Sequence, residues 1–153
     1  MPVMQDMSAS QARNQFADIY EAALDHLPTS IHRRRGGSAV MIDSGDLDTL
    51  LGAFRFAPEV FMDRGAVSIW LPELKIWGRG GSFAEAQADL LDEIDELIAL
   101  VESDAAMRAA PETVRELPWI FHLMRTPDDA DRLELLFAAR EAEQPAGALA
   151  VAG

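Results

Sequence analysis

The side chains able to do chemistry in this 153-residue chain are three histidines, a run of three arginines and a large surplus of carboxylates. His26, His32 and His122 stand far apart, and no two fall one helical turn from each other as a helix-borne metal pair would. They read as isolated surface or core histidines. There is no cysteine, so disulfides and thiolate-bound zinc are excluded and a reducing, cytoplasmic setting is expected. A nucleophile would have to be a serine, a threonine or a carboxylate. The chain has no Gly-x-Ser-x-Gly elbow, no phosphate-binding loop and no His-Glu-x-x-His pair. The Gly-Arg-Gly-Gly-Ser stretch at 78–82 precedes a helix start, where an anion can bind, but lacks a Gly-Lys pair and reads as a structural turn. No catalytic residue, metal or cofactor is expected, and recognition becomes the better reading.

Arg33, Arg34 and Arg35 stand immediately before Gly36 and Gly37. Glycines at a hairpin tip let the arginines approach a phosphate backbone, and guanidinium groups pair with phosphate or with guanine edges. Ser8 and the free N–H groups of the first helical turn add a phosphate contact, with Gln11 and Asn14 in reach of base edges. The competing reading is a solvated turn, or pairing with Asp43, Asp46 and Asp48. One such module makes few phosphate contacts, so DNA binding implies a homodimer on a palindromic site.

The whole-chain balance bears on that patch. The net charge is −13, which disfavours non-specific nucleic-acid binding and suits a basic protein partner. With 49% hydrophobic and 25% charged residues, the composition is that of a globular protein. No apolar run is long enough for a membrane span, and the first residues lack a signal-peptide pattern.

The elements that must position these residues follow from periodicity. Residues 2–7 form a short first strand. Ser8 caps a helix with Gln11 closing a capping box, and Ala12, Phe16, Ile19, Tyr20, Ala23 and Leu24 form a core-facing stripe up to Pro28. Two strands, 29–33 and 38–42, flank the glycine turn, and Asp43 or Ser44 caps a short helix carrying Leu47, Leu50 and Leu51. Phe54, Phe56, Val60 and Met62 alternate as an edge strand, followed by a three-residue loop at 63–65. Val67, Ile69 and Leu71 line one face of the next strand with Trp70 opposite, and residues 74–77 form a third. Ser82 to Glu85 is a capping box opening a long helix with an apolar stripe and an acidic outer face. Pro111 starts a short helix that Pro118 ends or kinks, and Thr126-Pro127 opens the last helix.

Three stretches carry a resemblance. Ser8, Ala12 and Arg13, then Arg33 to Gly37, then Ala39 to Met41, resemble the N-terminal domain of Phd/YefM-family antitoxins. Leu123 to Pro127 followed by Arg132 and Leu133 is similar to the toxin-gripping segment of the same family. Between them, Leu71 to Leu74, Gly78, Ser82, Glu85 and Ala86 resemble a HicB-type pattern, and the layout is similar to a longer Phd-like antitoxin associated with RelE-class toxins. The resemblance implies a DNA contact by Ser8, Gln11, Arg13, Asn14, Arg33, Arg34 and Arg35. It also implies a toxin contact by Trp119, Phe121, Leu123, Met124, Arg125, Leu133, Leu136 and Phe137, against a small basic ribonuclease. The competing reading of that last segment is packing on the chain's own sheet.

The expectation is therefore an α+β antitoxin that is not an enzyme. A DNA-binding and dimerising module spans 1–53, strands and a long acidic helix span 54–110, toxin-binding helices span 111–143, and a disordered tail spans 144–153. It would repress its own operon and neutralise a toxin. The alternatives are a regulator without a toxin and a structural interaction module.

Overall fold

The computed structural model describes residues 4–143, so the tail expected at 144–153 lies outside the described residues. The fold is α+β, and the chain divides between Leu50 and Leu51 into two compact units. Residues 54–110 and 111–143 therefore belong to one unit.

In the first unit, β1 (Gln5–Ser8) leads into α1 (Ala9–Asn14) and α2 (Phe16–Leu24). The chain continues through β2 (Thr29–His32) and β3 (Ser38–Met41) into α3 (Ser44–Leu51). The sheet order is β1-β2-β3, with β1 parallel and β3 antiparallel to the central strand. Ser8 caps α1 with both halves of the capping box formed. The single helix expected after Ser8 is interrupted at Gln15, where the backbone leaves helical dihedrals (φ −115°, ψ 25°). Met7, Ala12 and Ile19 form the core, with Ile31 and Met41 packed against it. Only part of the expected stripe faces inward: Phe16, Tyr20 and Leu24 are 57%, 49% and 49% exposed.

The end of α2 explains an unusual backbone. Leu27 N–H donates to the Ala22 carbonyl and His26 N–H to the Ala23 carbonyl, a Schellman ending that requires a left-handed residue at position 26. His26 supplies it at φ 64°, where glycine is the usual occupant.

In the second unit, β4 (Glu59–Asp63), β5 (Ala66–Leu71) and β6 (Ile76–Gly80) form an antiparallel meander. It is followed by α4 (Phe83–Ser103), α5 (Ala105–Ala109), α6 (Pro111–Met124) and α7 (Asp129–Glu143). Val67, Ile69 and Leu71 are buried, and α4 packs on them through Ala86, Leu90 and Ile94. Gly78 and Gly80 permit this closeness: a Cβ at either would overlap the backbone of α4.

Several boundaries differ from expectation. Asp63 pairs directly with Ala66, so the loop is the two residues Arg64 and Gly65, both at positive φ as a type I′ turn demands. Phe54 and Phe56 precede the strand rather than belong to it. The third strand is displaced to Ile76–Gly80 because Leu74 and Lys75 make the preceding turn, Lys75 at φ 55°. α5 lies where no element was expected, capped by Asp104 accepting from Ala106 and Met107 N–H. Pro118 neither ends α6 nor starts a new element. The helix runs through it, held by buried Ile120 and Leu123 and by Trp119 Nε1–H donating to the Arg55 carbonyl at 3.0 Å. α7 is capped by Asp128, which accepts from Asp131 N–H, while Thr126 donates its hydroxyl to the His122 carbonyl and completes α6.

Candidate functional site

The register of the parallel pair sets Ser8 beside His32, the residue preceding the arginine run. Ser8, Ala9, Ser10, His32, Arg33, Arg34 and Arg35 consequently line one open groove. The loop Arg33–Gly37 is exposed throughout, and Gly36 takes φ 99°, which a side chain would resist. None of the three arginines has an ion-pair partner among the described residues. Two of the carboxylates suggested for them are otherwise engaged, Asp46 by His26 and Asp43 as the cap of α3. Gln11 is less free than expected, since its carbonyl oxygen accepts from both Ser8 N–H and the Ser8 hydroxyl. Arg13 and Asn14 are exposed on α1 but do not line the groove. His32 bonds Asp6 through Nδ1 at 3.0 Å at its rim.

A second constellation was invisible in the sequence. His26 Nδ1 lies 2.8 Å from Asp46 Oδ2, and ligand atoms of His26, Asp43 and Asp46 lie within 4.8 Å of one another. The hydrogen bond with Asp46, and then its charge, raises the His26 pKa above 6.5. The left-handed turn after α2 and the cap of α3 bring His26 to carboxylates seventeen and twenty positions further on, so no spacing motif announces the group.

The residues expected to touch a partner divide by burial. Leu123 and Leu136 are fully buried and belong to the core of the second unit. Trp119 packs edge-on against Phe54, and Phe137 against Phe83. Met124 and Leu133 are half-buried, Arg125 is exposed, and Phe121 is 42% exposed. Arg132 is 5% exposed and holds the turn before α7, donating to the Thr126 carbonyl and to Asp95, each at 2.7 Å. The 78–82 turn already holds an anion of its own, because Gly81 N–H donates to the Glu85 carboxylate at 2.6 Å.

Residues 1–138 match the family model described as PHD-like, the antitoxin of RelE/RelB toxin–antitoxin systems. The chain belongs to this antitoxin family. A crystal structure from Syntrophomonas wolfei subsp. wolfei, described as an antitoxin part of a proposed toxin/antitoxin system, shares the fold. Its TM-score is 0.74 at 17% identity, over 86% of this antitoxin and 96% of that chain. No curated protein sequence matches. The antitoxin has no helix among its described residues long and apolar enough to cross a membrane.

Proposed function

We propose that this antitoxin binds operator DNA through the Ser8–arginine groove, represses its own operon as a dimer, and neutralises a RelE-class toxin through its second unit. The observation that carries the DNA reading is the convergence of Ser8 and Arg33–Arg35 on one exposed groove, the arginines having no ion-pair partner among the described residues. Guanidinium groups held ready in this way favour phosphate and guanine over the acidic remainder of the chain. Arg13 and Asn14 lie outside the lining of the groove, and Gln11 serves chiefly to fix the start of α1.

The unpartnered face of α2 supports dimerisation. Phe16, Tyr20 and Leu24 repeat at one-turn intervals with Leu27 beyond them, all exposed, and the Phe16 and Tyr20 rings stack at 6.1 Å. An apolar stripe of this kind on a small unit is what a twofold partner covers. For the toxin, Phe121, Met124, Arg125, Leu133 and Phe137 supply the reachable contacts, and Trp119, Leu123 and Leu136 hold them from beneath.

The test is replacement of Arg33, Arg34 and Arg35 by alanine. Retardation of DNA from upstream of the gene should be lost, while rescue of growth from the co-expressed toxin is spared. Retention of DNA binding would remove the groove from the interface.

A further inference from the structure

Sheet β4-β5-β6 has two edges, and the fold treats them differently. At the β6 edge α4 closes in over Gly78 and Gly80, and the Arg79 N–H is taken by the Asp89 carboxylate at 2.7 Å. A central N–H of that edge is thereby already taken. β4 has no such cover among the described residues: Phe61 is 48% and Met62 75% exposed. In a hairpin closed by a two-residue turn, Asp63, Phe61 and Glu59 exchange hydrogen bonds with Ala66, Ser68 and Trp70. The N–H and C=O groups of Val60 and Met62 therefore point away from β5, as a strand-pairing template.

The side chains beside that edge are not those of a solvated face. Glu59, Phe61 and Asp63 share one side of β4. Because Ser68, opposite Phe61, is small, the Phe61 ring reaches across it to Trp77 with centroids 5.8 Å apart. Trp77 in turn meets Trp70 at 4.8 Å and carries Arg79 over its face at 5.2 Å. None of these three aromatics belongs to the core or packs against it.

We propose that the β4 edge and this aromatic face dock a strand of the toxin, one whose side chains alternate basic, apolar and basic. This rests on the antitoxin reading and extends it to a surface outside the C-terminal helices. Charge selects the occupant. A basic residue opposite Glu59 and another opposite Asp63 make favourable cross-strand pairs, with an apolar residue on Phe61 between them. A second copy pairing about Phe61 would set Glu59 of one chain against Asp63 of the other, and residues 51–153 carry nine Lys/Arg against nineteen Asp/Glu. Stacked aromatics also suit nucleic-acid bases, but phosphates would then face the same two acids.

The experiment measures binding of the full chain to the toxin, taken as the basic product of the neighbouring reading frame, by titration calorimetry. Phe61→Arg, Asp63→Lys and Met62→Pro are compared with the unaltered chain, each checked by thermal melting. Asp63 is at the exposed tip, so its variant keeps the test open if Met62→Pro fails to fold. Each folded variant should bind at least tenfold more weakly. Unaltered affinity in the folded variants overturns the proposal and leaves the antitoxin reading standing, whereas failure of the unaltered chain to bind removes both. A change in the mass of the free chain on Phe61→Arg would assign the edge to self-association and overturn the proposal. Tighter oligouridylate binding by Asp63→Lys would assign it to RNA and also overturn it.

Discussion

Arg132 is almost fully buried, yet its value lies in the carbonyls it satisfies more than in its ion pair. Its carboxylate partner Asp95 is 63% exposed at the side chain, where water competes for the charge. The Thr126 carbonyl takes a 2.7 Å bond in a part-buried position, while the buried Leu123 carbonyl also accepts from Thr126 N–H. Arg132→Met should therefore cost about 1–3 kcal/mol in chemical denaturation, most of it from the Thr126 carbonyl left without its charged donor. Asp95→Asn should cost less than about 1 kcal/mol. Equal losses would mean that the ion pair dominates. Gly78→Ala should be worse tolerated than its size suggests, by about 1–3 kcal/mol, because the new methyl meets the Ala86 carbonyl and Leu90 on a helix that cannot yield locally.

His26 offers a pH signature at the same scale. Its pKa is raised in the folded chain by Asp46, so the imidazolium–carboxylate contact stabilises the fold fully below pH 6.5. That contribution is lost as pH rises through the higher folded-state value. The melting temperature of the protein should exceed that of Asp46→Asn at pH 5.5, and the gap should close toward pH 8.5. A constant gap would show that Asp46 acts without titration of His26.

At the scale of elements, α2 marks the limit of reading a helix from periodicity. Apolar residues at helical spacing show that a face will be buried but not by what. Ala12, Ile19 and Ala23 turn to the core while Phe16, Tyr20 and Leu24 turn outward. If that face is a dimer seam, Phe16→Ser combined with Tyr20→Ser should halve the sedimenting mass and leave the circular dichroism unchanged, since neither ring supports the monomer. An unchanged mass would place the seam elsewhere. Capping residues were the most legible signals: Ser8 and Ser82 start their helices where the side-chain pattern says, although at Ser82 only half of the expected box forms because Glu85 turns to Gly81 N–H. Thr126-Pro127 misled for a related reason, because the same polar cluster holds a second cap at Asp128 and Thr126 is spent on the end of α6. Of the two outcomes expected at Pro118, an end to the helix does not occur, because the lost hydrogen bond is offset by tertiary burial, which no local rule contains.

At the scale of the whole molecule, charge is unevenly divided. All four basic residues of the first unit are arginines, three of them in one loop, and the second unit holds most of the acid. The order of family-like segments was legible because it depends on sequence alone. The sharing of Ser8 with the arginine loop depends on a parallel strand pair, and the His26 group on a helix ending, so both needed the fold. Burial also redistributes the C-terminal segment, in which Leu123 and Leu136 build the unit that would present Phe121 and Phe137 to a toxin.

The most direct measurement on the central claim is the salt dependence of operator binding. Each phosphate contact contributes a slope of about −0.9 in log K against log salt. If the arginine groove is the DNA interface, single Arg33→Ala, Arg34→Ala and Arg35→Ala variants should flatten the slope for every phosphate-contacting arginine removed, about twice over in a dimer. The triple variant should fall to background binding. A triple variant that binds with the slope and affinity of the unaltered chain would contradict the account.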